Sequence, residues 1–228
     1  MGQSPIHYAC KKGHLDILAM LLAHGNTDIN ARDKTDRAPI HYACDWRHVE
    51  ILKILIKNGA DINSKDQRNQ TPLHSACIVG DLPILAVLLA NPKCDLNARD
   101  GAHRTPTHLA CIKGDLNIVK ALIAMPAVDI YAKDEYGMAA IHYACRDGYL
   151  EILKALLQKD NAAVNAMDDS GVAPIHYACR EGHLDILSAL ISSGANMDAV
   201  DSAGQTATDY ALKNAKTSGQ ALKILMKR

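Results

Sequence analysis

The six-residue stretch Pro174-Ile175-His176-Tyr177-Ala178-Cys179 recurs throughout the chain. Identical copies occupy residues 5–10 and 39–44, near-copies begin at residues 72, 106 and 140, and a divergent copy begins at residue 207. Successive copies are therefore 34, 33, 34, 34, 34 and 33 residues apart. Seven copies at one period indicate an array of stacked repeats, in which each repeat is one small structural unit.

The charge balance argues against two broad classes of partner. The 228 residues include 25 basic and 25 acidic side chains, so the formal net charge is zero. Bulk electrostatic attraction to nucleic acid or to an anionic membrane is therefore not expected. No apolar run approaches the roughly 18 residues that a membrane-spanning helix requires. We expect neither nucleic acid nor a membrane as a partner.

Six of the seven cysteines occupy the last position of the repeated stretch. Equivalent positions in stacked helices are about 10 Å apart, whereas the Cα atoms of a disulfide lie within roughly 7 Å. These thiols are therefore expected to pack in the core as small apolar side chains. Unpaired thiols favour a reducing compartment, and residues 1–5 lack the features of a signal peptide. We expect the chain in the cytoplasm, with the nucleus as the alternative.

The residues around the repeated stretch predict two short helices in each copy. A polar turn opens each copy from the second onward, and it begins with an aspartate: Asp33, Asp66, Asp100, Asp134, Asp168 and Asp201. The fourth residue is often Asn or Gly, which suits a tight turn. The proline then begins a first helix, which ends near a glycine. Apolar residues at helical spacing in segments such as 49–56 predict a second helix.

The stretch Thr71-Pro72-Leu73-His74-Ser75-Ala76 resembles the Thr-Pro-Leu-His-x-Ala signature of the ankyrin repeat family. The Gly-Ala-Asp-Ile-Asn segment at 59–63 is similar to another of its marks, and the resemblance covers essentially the whole chain. It implies an all-α solenoid of antiparallel helix pairs with projecting hairpin-like loops. One domain, 1–228, is expected, with repeats at 1–32, 33–65, 66–99, 100–133, 134–167, 168–200 and 201–228.

The two ends of the array differ from its middle. The first copy lacks most of its loop, and its apolar helix faces lead us to expect a fragment of a longer protein. The last copy is expected to be a C-terminal cap, because Asp209 replaces the histidine and its helices carry additional basic residues. These basic residues are Lys213, Lys216, Lys223, Lys227 and Arg228.

The histidines of the repeated stretch do not predict a metal site. Their positions recur about 10 Å apart, whereas zinc ligands all lie near 2 Å from one ion. The resemblance implies instead that they link neighbouring loops by hydrogen bonds. The repeated aspartates are expected to bond their own turns, and His14, His48 and His183 to cap second helices at the surface. The chain carries no phosphate-binding loop, nucleophile elbow or Cys-x-x-Cys pair, so no enzyme, cofactor or metal site is expected.

Function is expected where the copies differ. The positions just after each Ala-Cys and the loop tips line a concave binding face in the ankyrin family. Aromatic residues and arginine are typical anchors of interfaces. The resemblance implies instead that Tyr8, Tyr42, Tyr143 and Tyr177, which lie in the repeated stretch, pack partly buried against the neighbouring repeat, with a hydroxyl reaching the concave surface. The predicted partner-binding residues are Trp46, Ile78, Val79, Ile112, Lys113, Arg37, Arg68, Arg104, Tyr136 and Met138.

The predicted function is a non-catalytic, monomeric scaffold that binds a partner protein through the concave face. The basic loop tips favour a partner with an acidic segment. One alternative is a gankyrin-like proteasome-assembly chaperone, which only repeat number and length support. Another is a targeting or regulatory module of a larger enzyme or channel. The last is nucleic-acid binding through the basic tips, which predicts a steep dependence of affinity on salt.

Overall fold

The computed structural model of the chain describes residues 2–226, and within them all regular structure is helical apart from one isolated bridge between Val200 and Thr206. The first helices of the seven copies are α1 Pro5–Lys12, α3 Pro39–Asp45, α5 Pro72–Val79, α7 Pro106–Lys113, α9 Ala140–Asp147, α11 Pro174–Glu181 and α13 Ala207–Lys213. The second helices are α2 Leu15–Ala23, α4 Val49–Lys57, α6 Leu82–Leu89, α8 Leu116–Ile123, α10 Leu150–Lys159, α12 Leu184–Ser192 and α14 Ser218–Leu225. A 3-10 turn at Asn161–Asn165 follows α10.

The chain divides into two compact units between Leu109 and Ala110. In the first unit, α3 packs between α1 and α5, and α4 packs between α2 and α6. In the second unit, α11 packs between α9 and α13, while α8, α10, α12 and α14 form a second row in which each helix packs on the next. Helices of this length are marginal alone in water. Each unit is therefore held together by contacts between successive repeats, as expected for a stack.

The turn before each first helix has the left-handed backbone that the sequence predicts. Asn69 has φ 56° and Gly137 has φ 72°, which Asn and Gly adopt more readily than other residues. Asp36 and His103 adopt the same conformation in their copies, with φ 55° and 59°. The turn is therefore imposed by the repeat even where no Asn or Gly indicates it.

The core of each unit consists of one apolar stripe from every helix. Leu52, Leu88 and Leu187 are fully buried on second helices. The six cysteines of the repeated stretch are also fully buried, and none of the seven cysteines, all of which lie within residues 2–226, forms a disulfide. Burial raises the pKa of the Cys111 thiol to about 12, so the thiol stays neutral. The prediction that these cysteines serve as core residues is confirmed.

In residues 2–226 no helix combines the length and the apolarity that crossing a bilayer requires. Lys227 and Arg228, which were predicted to contribute to the cap, lie outside the described residues.

Candidate functional site

The histidine of the repeated stretch is buried, and both of its ring nitrogens are hydrogen-bonded. In α5, Nδ1 of His74 accepts the backbone N–H of Thr71 at 3.1 Å, and its Nε2 lies 3.1 Å from the carbonyl oxygen of Arg104 in the following loop. Because Nδ1 accepts, Nε2 carries the proton and donates it. Burial lowers the pKa of His74 and favours this neutral form. The same pair of bonds recurs at His7, His41, His142 and His176.

The predicted linking role of this histidine is therefore confirmed. The hydroxyls of Ser4, Thr71 and Thr105, which directly precede first helices, lie 2.8–2.9 Å from Nδ1 of the histidine three residues later. In the five histidines with both bonds described, the nitrogens are occupied by protein groups. Such a histidine connects neighbouring repeats, and its ring has no nitrogen lone pair left to bind a metal ion.

The aspartate that opens a copy accepts hydrogen bonds from its own turn, as predicted, and also from a tyrosine of the first helix, which was not predicted. Oδ1 of Asp33 accepts the backbone N–H groups of Thr35 at 2.8 Å and Arg37 at 3.1 Å, which confirms its place in the turn. Its Oδ2 accepts the hydroxyl of Tyr42 at 2.6 Å. Burial raises the pKa of Asp33, but the hydrogen bonds from Tyr42, Thr35 and Arg37 outweigh it and hold that pKa well below its usual range.

Equivalent tyrosine–aspartate bonds join Tyr143 to Asp134, Tyr177 to Asp168 and Tyr210 to Asp201. A cation lies over each of these rings: Arg146 at 4.6 Å from the Tyr143 centroid, Arg180 at 4.7 Å from Tyr177 and Lys213 at 5.6 Å from Tyr210. This Asp–Tyr–cation group was not predicted from the sequence. Its signal is a tyrosine nine residues after the aspartate, followed by a basic residue three positions later.

In the first unit, the structure brings three of the predicted binding residues together at the ends of α3 and α5. Trp46 directly follows α3 and is 52% exposed. The adjacent Arg47 donates from Nη2 to the carbonyl oxygen of Val79 at 2.9 Å, so the two helix ends lie side by side. Ile78 and Val79 are half-buried, and Nζ of Lys11 lies 5.8 Å from the centroid of the Trp46 ring. This apolar group, Trp46–Ile78–Val79, is accessible and framed by cations.

The predicted basic loop tips differ in how much charge they present. Arg37 pairs with Asp45, and both side chains are only partly exposed. Nη2 of Arg104 lies 2.8 Å from Oδ2 of Asp100, whose side chain is buried. Arg68 is exposed, and within residues 2–226 its guanidinium has no hydrogen-bond or ion-pair partner. Of these three arginines, only Arg68 presents an unpaired charge, because the charges of Arg37 and Arg104 are partly neutralised by an aspartate of their own copy.

In the second unit, three of the four predicted partner-binding residues are at least partly accessible to solvent and the fourth is buried. Ile112 is half-buried, Lys113 is exposed and Tyr136 is 63% exposed. Met138 was expected at the surface but is only 6% exposed, so this prediction is wrong. Its N–H donates to Oδ1 of Asp134 and its carbonyl accepts the Asp134 N–H, both at 3.0 Å. These bonds draw Met138 into the turn.

The prediction for the histidines that precede second helices also needs correction. His48 and His183 are half-buried, and neither makes a capping bond to its own helix. Nε2 of His183 lies 3.1 Å from the carbonyl oxygen of Arg146 in the preceding repeat, and His48 lies 3.3 Å from that of Lys11. These two residues join neighbouring repeats. His14 is exposed as predicted, but it too makes no capping bond to its own helix, so the capping prediction is wrong for all three histidines.

The family described as "Ankyrin repeats (3 copies)" matches residues 1–66, 73–168 and 141–228. No protein with a curated description matches the chain. Among solved structures, the ankyrin repeat domain of Bcl-3, described as a unique member of the IκB protein family, is 26% identical with a TM-score of 0.86. That alignment covers 97% of this chain and 99% of the Bcl-3 chain. The human ASB11 ankyrin repeat domain is 26% identical with a TM-score of 0.80, covering 97% and 98% of the two chains.

Proposed function

Because the chain belongs to the ankyrin repeat family, whose domains are generally protein–protein interaction modules, we propose that it is a non-catalytic scaffold that binds a partner protein. It does so through the concave face of the array. The hydrogen bonds of the repeated histidines, aspartates and tyrosines fix the loops to the helices, so little conformational entropy is lost when a partner docks. The repeats present a preformed surface.

The exposed Trp46–Ile78–Val79 group carries this proposal. A tryptophan that is 52% exposed beside two aliphatic side chains matches the composition of interface centres, where aromatic anchors supply most of the binding energy. Arg47 and the stacked α3 and α5 hold the group in place, since the N–H···O bond to Val79 joins the two helix ends. Ile112, Lys113, Arg104 and Tyr136 are further contact positions in the same proposal.

The partner carries an acidic segment that meets Arg68 and Lys11. Unpaired cations at the rim of an interface speed association and orient the partner more than they raise affinity. The scaffold acts as a monomer, because the Trp46–Ile78–Val79 group contacts the partner protein and not a second copy of the chain. It acts in the cytoplasm or the nucleus, where cysteine thiols stay reduced.

The test is affinity capture from the source cell with three baits: the unmodified chain, a Trp46→Ala/Arg68→Glu variant and a Met20→Ala control. Met20 is 67% exposed on α2, so its loss removes exposed apolar surface elsewhere in the same unit. The double variant should bind the captured protein roughly 30-fold more weakly, as for loss of an interface anchor. The control should retain it, and all three should melt at the same temperature.

Retention of the same partner by the double variant at unchanged affinity would exclude this face. The gankyrin-like alternative predicts co-purification with a proteasomal ATPase subunit. Nucleic-acid binding predicts capture of DNA or RNA at low salt and its steep loss as salt increases.

A further inference from the structure

The third repeat lacks the Asp–Tyr hydrogen bond that four other repeats contain. Ser75 stands where those repeats carry tyrosine, nine residues after Asp66. Oδ1 of Asp66 accepts the backbone N–H groups of Arg68 and Gln70, at 2.8 and 2.9 Å, as its equivalents do. Among the described residues, its Oδ2 accepts no hydrogen bond. A carboxylate oxygen that has a partner elsewhere in the array is therefore unpartnered here.

The fourth repeat shows that loss of the tyrosine alone does not leave this oxygen unpartnered. Leu109 replaces the tyrosine there and is only 5% exposed, so the space is filled. Oδ2 of Asp100 is taken by Nε and Nη2 of Arg104, at 3.0 and 2.8 Å. The third repeat has neither substitute, because Gln70 stands at the position of Arg104.

A pocket of about 450 Å³ opens at this point, entirely within the first unit. It is bounded by the two loops that precede α3 and α5 and by the helices themselves, and its lining residues include Arg37, Asp45, Asp66, Arg68, Ser75 and Ile78. Its volume lies in the range of roughly 300–1,000 Å³ that is typical of ligand pockets. Ser75 is only 6% exposed, and its hydroxyl has no partner in the described part of the chain.

We propose that this pocket receives a tyrosine side chain of the partner protein, whose hydroxyl donates to Oδ2 of Asp66 and so reproduces the Asp–Tyr hydrogen bond of the second, fifth, sixth and seventh repeats. The inference rests on the proposed function, in that the occupant belongs to a partner polypeptide. The chain's own tyrosines show the fit: Tyr42 and Tyr177 are each 6% exposed, with their hydroxyls 2.6 and 2.7 Å from the equivalent carboxylates.

The surroundings of the pocket select a neutral donor over a charged one. Two arginines and two aspartates line it, so the formal charges cancel, and Arg37 is already paired with Asp45. A cation or an anion would have to give up its hydration without gaining a net opposite charge. A phenol supplies one donor and an apolar ring, for which Ile78 provides a contact. In the equivalent places the ring edge meets the histidine of the preceding repeat, at 5.7 Å for His7 and Tyr42 and 5.8 Å for His142 and Tyr177.

The experiment titrates the ¹⁵N-labelled chain with N-acetyl-tyrosinamide, followed by NMR. Saturable shifts are expected at the amides of Asp66, Arg68 and Ser75. N-acetyl-phenylalaninamide should bind about tenfold more weakly, because it leaves the carboxylate without its donor. Ser75→Tyr fills the pocket from within and should abolish the shifts while raising the melting temperature. Asp66→Asn retains a carbonyl oxygen for the turn but can place an amide donor at the position of Oδ2, and should weaken tyrosinamide binding about tenfold.

The Tyr177→Ser variant tests the converse, the creation of a tyrosine-binding pocket in another repeat. It should open an equivalent pocket beside Asp168 in the second unit and create tyrosinamide shifts there. The proposal is overturned if the unmodified chain shows no saturable shift, if the phenylalanine amide binds equally well, or if N-acetyl-argininamide binds more tightly. These outcomes concern the pocket alone. The proposed interaction face is decided separately by capture with a Trp46→Ala single variant, because Trp46 does not line the pocket whereas Arg68 does.

Discussion

At the scale of single residues, buried hydroxyl–carboxylate pairs join the turn of a repeat to its own first helix. Tyr177 and Asp168 are 6% and 8% exposed, and the hydroxyl donates at 2.7 Å. Burial, and then the hydrogen bond to Asp168, raise the pKa of Tyr177, so the phenol keeps its proton throughout the neutral range. Such a bond stabilises the fold because its loss leaves a buried charge with one partner fewer.

Tyr177→Phe is expected to lower the free energy of unfolding by about 2 kcal/mol, the range for a hydrogen bond to a charged group. Urea denaturation followed by circular dichroism measures this change. Tyr8→Phe is the matched control. Tyr8 was expected to pack against the neighbouring repeat, but it is 46% exposed and its copy has no opening aspartate for the hydroxyl to bond. The effect of this substitution should stay within about 0.5 kcal/mol. Equal effects of the two substitutions would show that the hydroxyl of Tyr177 contributes nothing beyond ring packing.

At the scale of elements, the glycine after a first helix serves the next repeat as well as its own. Gly148 ends α9 with φ 83°, and a Cβ built on it would lie 2.8 Å from Cε1 of His183. That imidazole bonds the carbonyl oxygen of Arg146 near the end of α9. The glycine therefore allows both the left-handed cap and the approach of the histidine that joins two repeats.

Gly148→Ala is expected to destabilise the chain by about 2–3 kcal/mol, of which about 1–2 kcal/mol is the left-handed backbone and the remainder the displaced imidazole. Gly194→Ala isolates the first contribution, because Gly194 has φ 87° and a Cβ added to it would meet no atom within 4 Å. It should cost about 1–2 kcal/mol. Comparison of the two urea midpoints measures the difference, and identical midpoints would exclude a role for the His183 contact.

At the scale of the whole molecule, the buried histidines make stability depend on pH. Burial lowers the pKa of His41, His74 and His142 below 6.5, so the folded chain binds fewer protons than the unfolded chain just below that pH. Their contribution is complete above the unfolded pKa and is lost as the pH falls from 6.5 toward the folded values. Protonation also removes the lone pair of Nδ1 that accepts the backbone N–H at the helix start.

The free energy of unfolding should therefore be lower at pH 5.5 than at pH 7.5, measured by urea denaturation in one buffer of constant ionic strength. His74→Gln should be less stable at pH 7.5 but should show a smaller difference between the two pH values. His24→Gln replaces an exposed histidine and should leave that difference unchanged. A stability that is the same at both pH values, or that rises toward pH 5.5, would contradict the proposed cause.

The sequence by itself determined the repeat, its two helices, the buried thiols and the structural use of His74, because each depends on local spacing that recurs unchanged. It indicated Trp46 and Arg68 as exposed, since positions that vary within a constant frame were expected to face solvent, which holds for these two residues but not for Met138. Only the tertiary structure decided that Met138 is buried, that Arg37 and Arg104 are paired and that Tyr42 bonds Asp33. The unpartnered oxygen of Asp66 likewise depends on the tertiary structure, because local spacing shows that the tyrosine is missing but not whether a residue of another repeat takes its place.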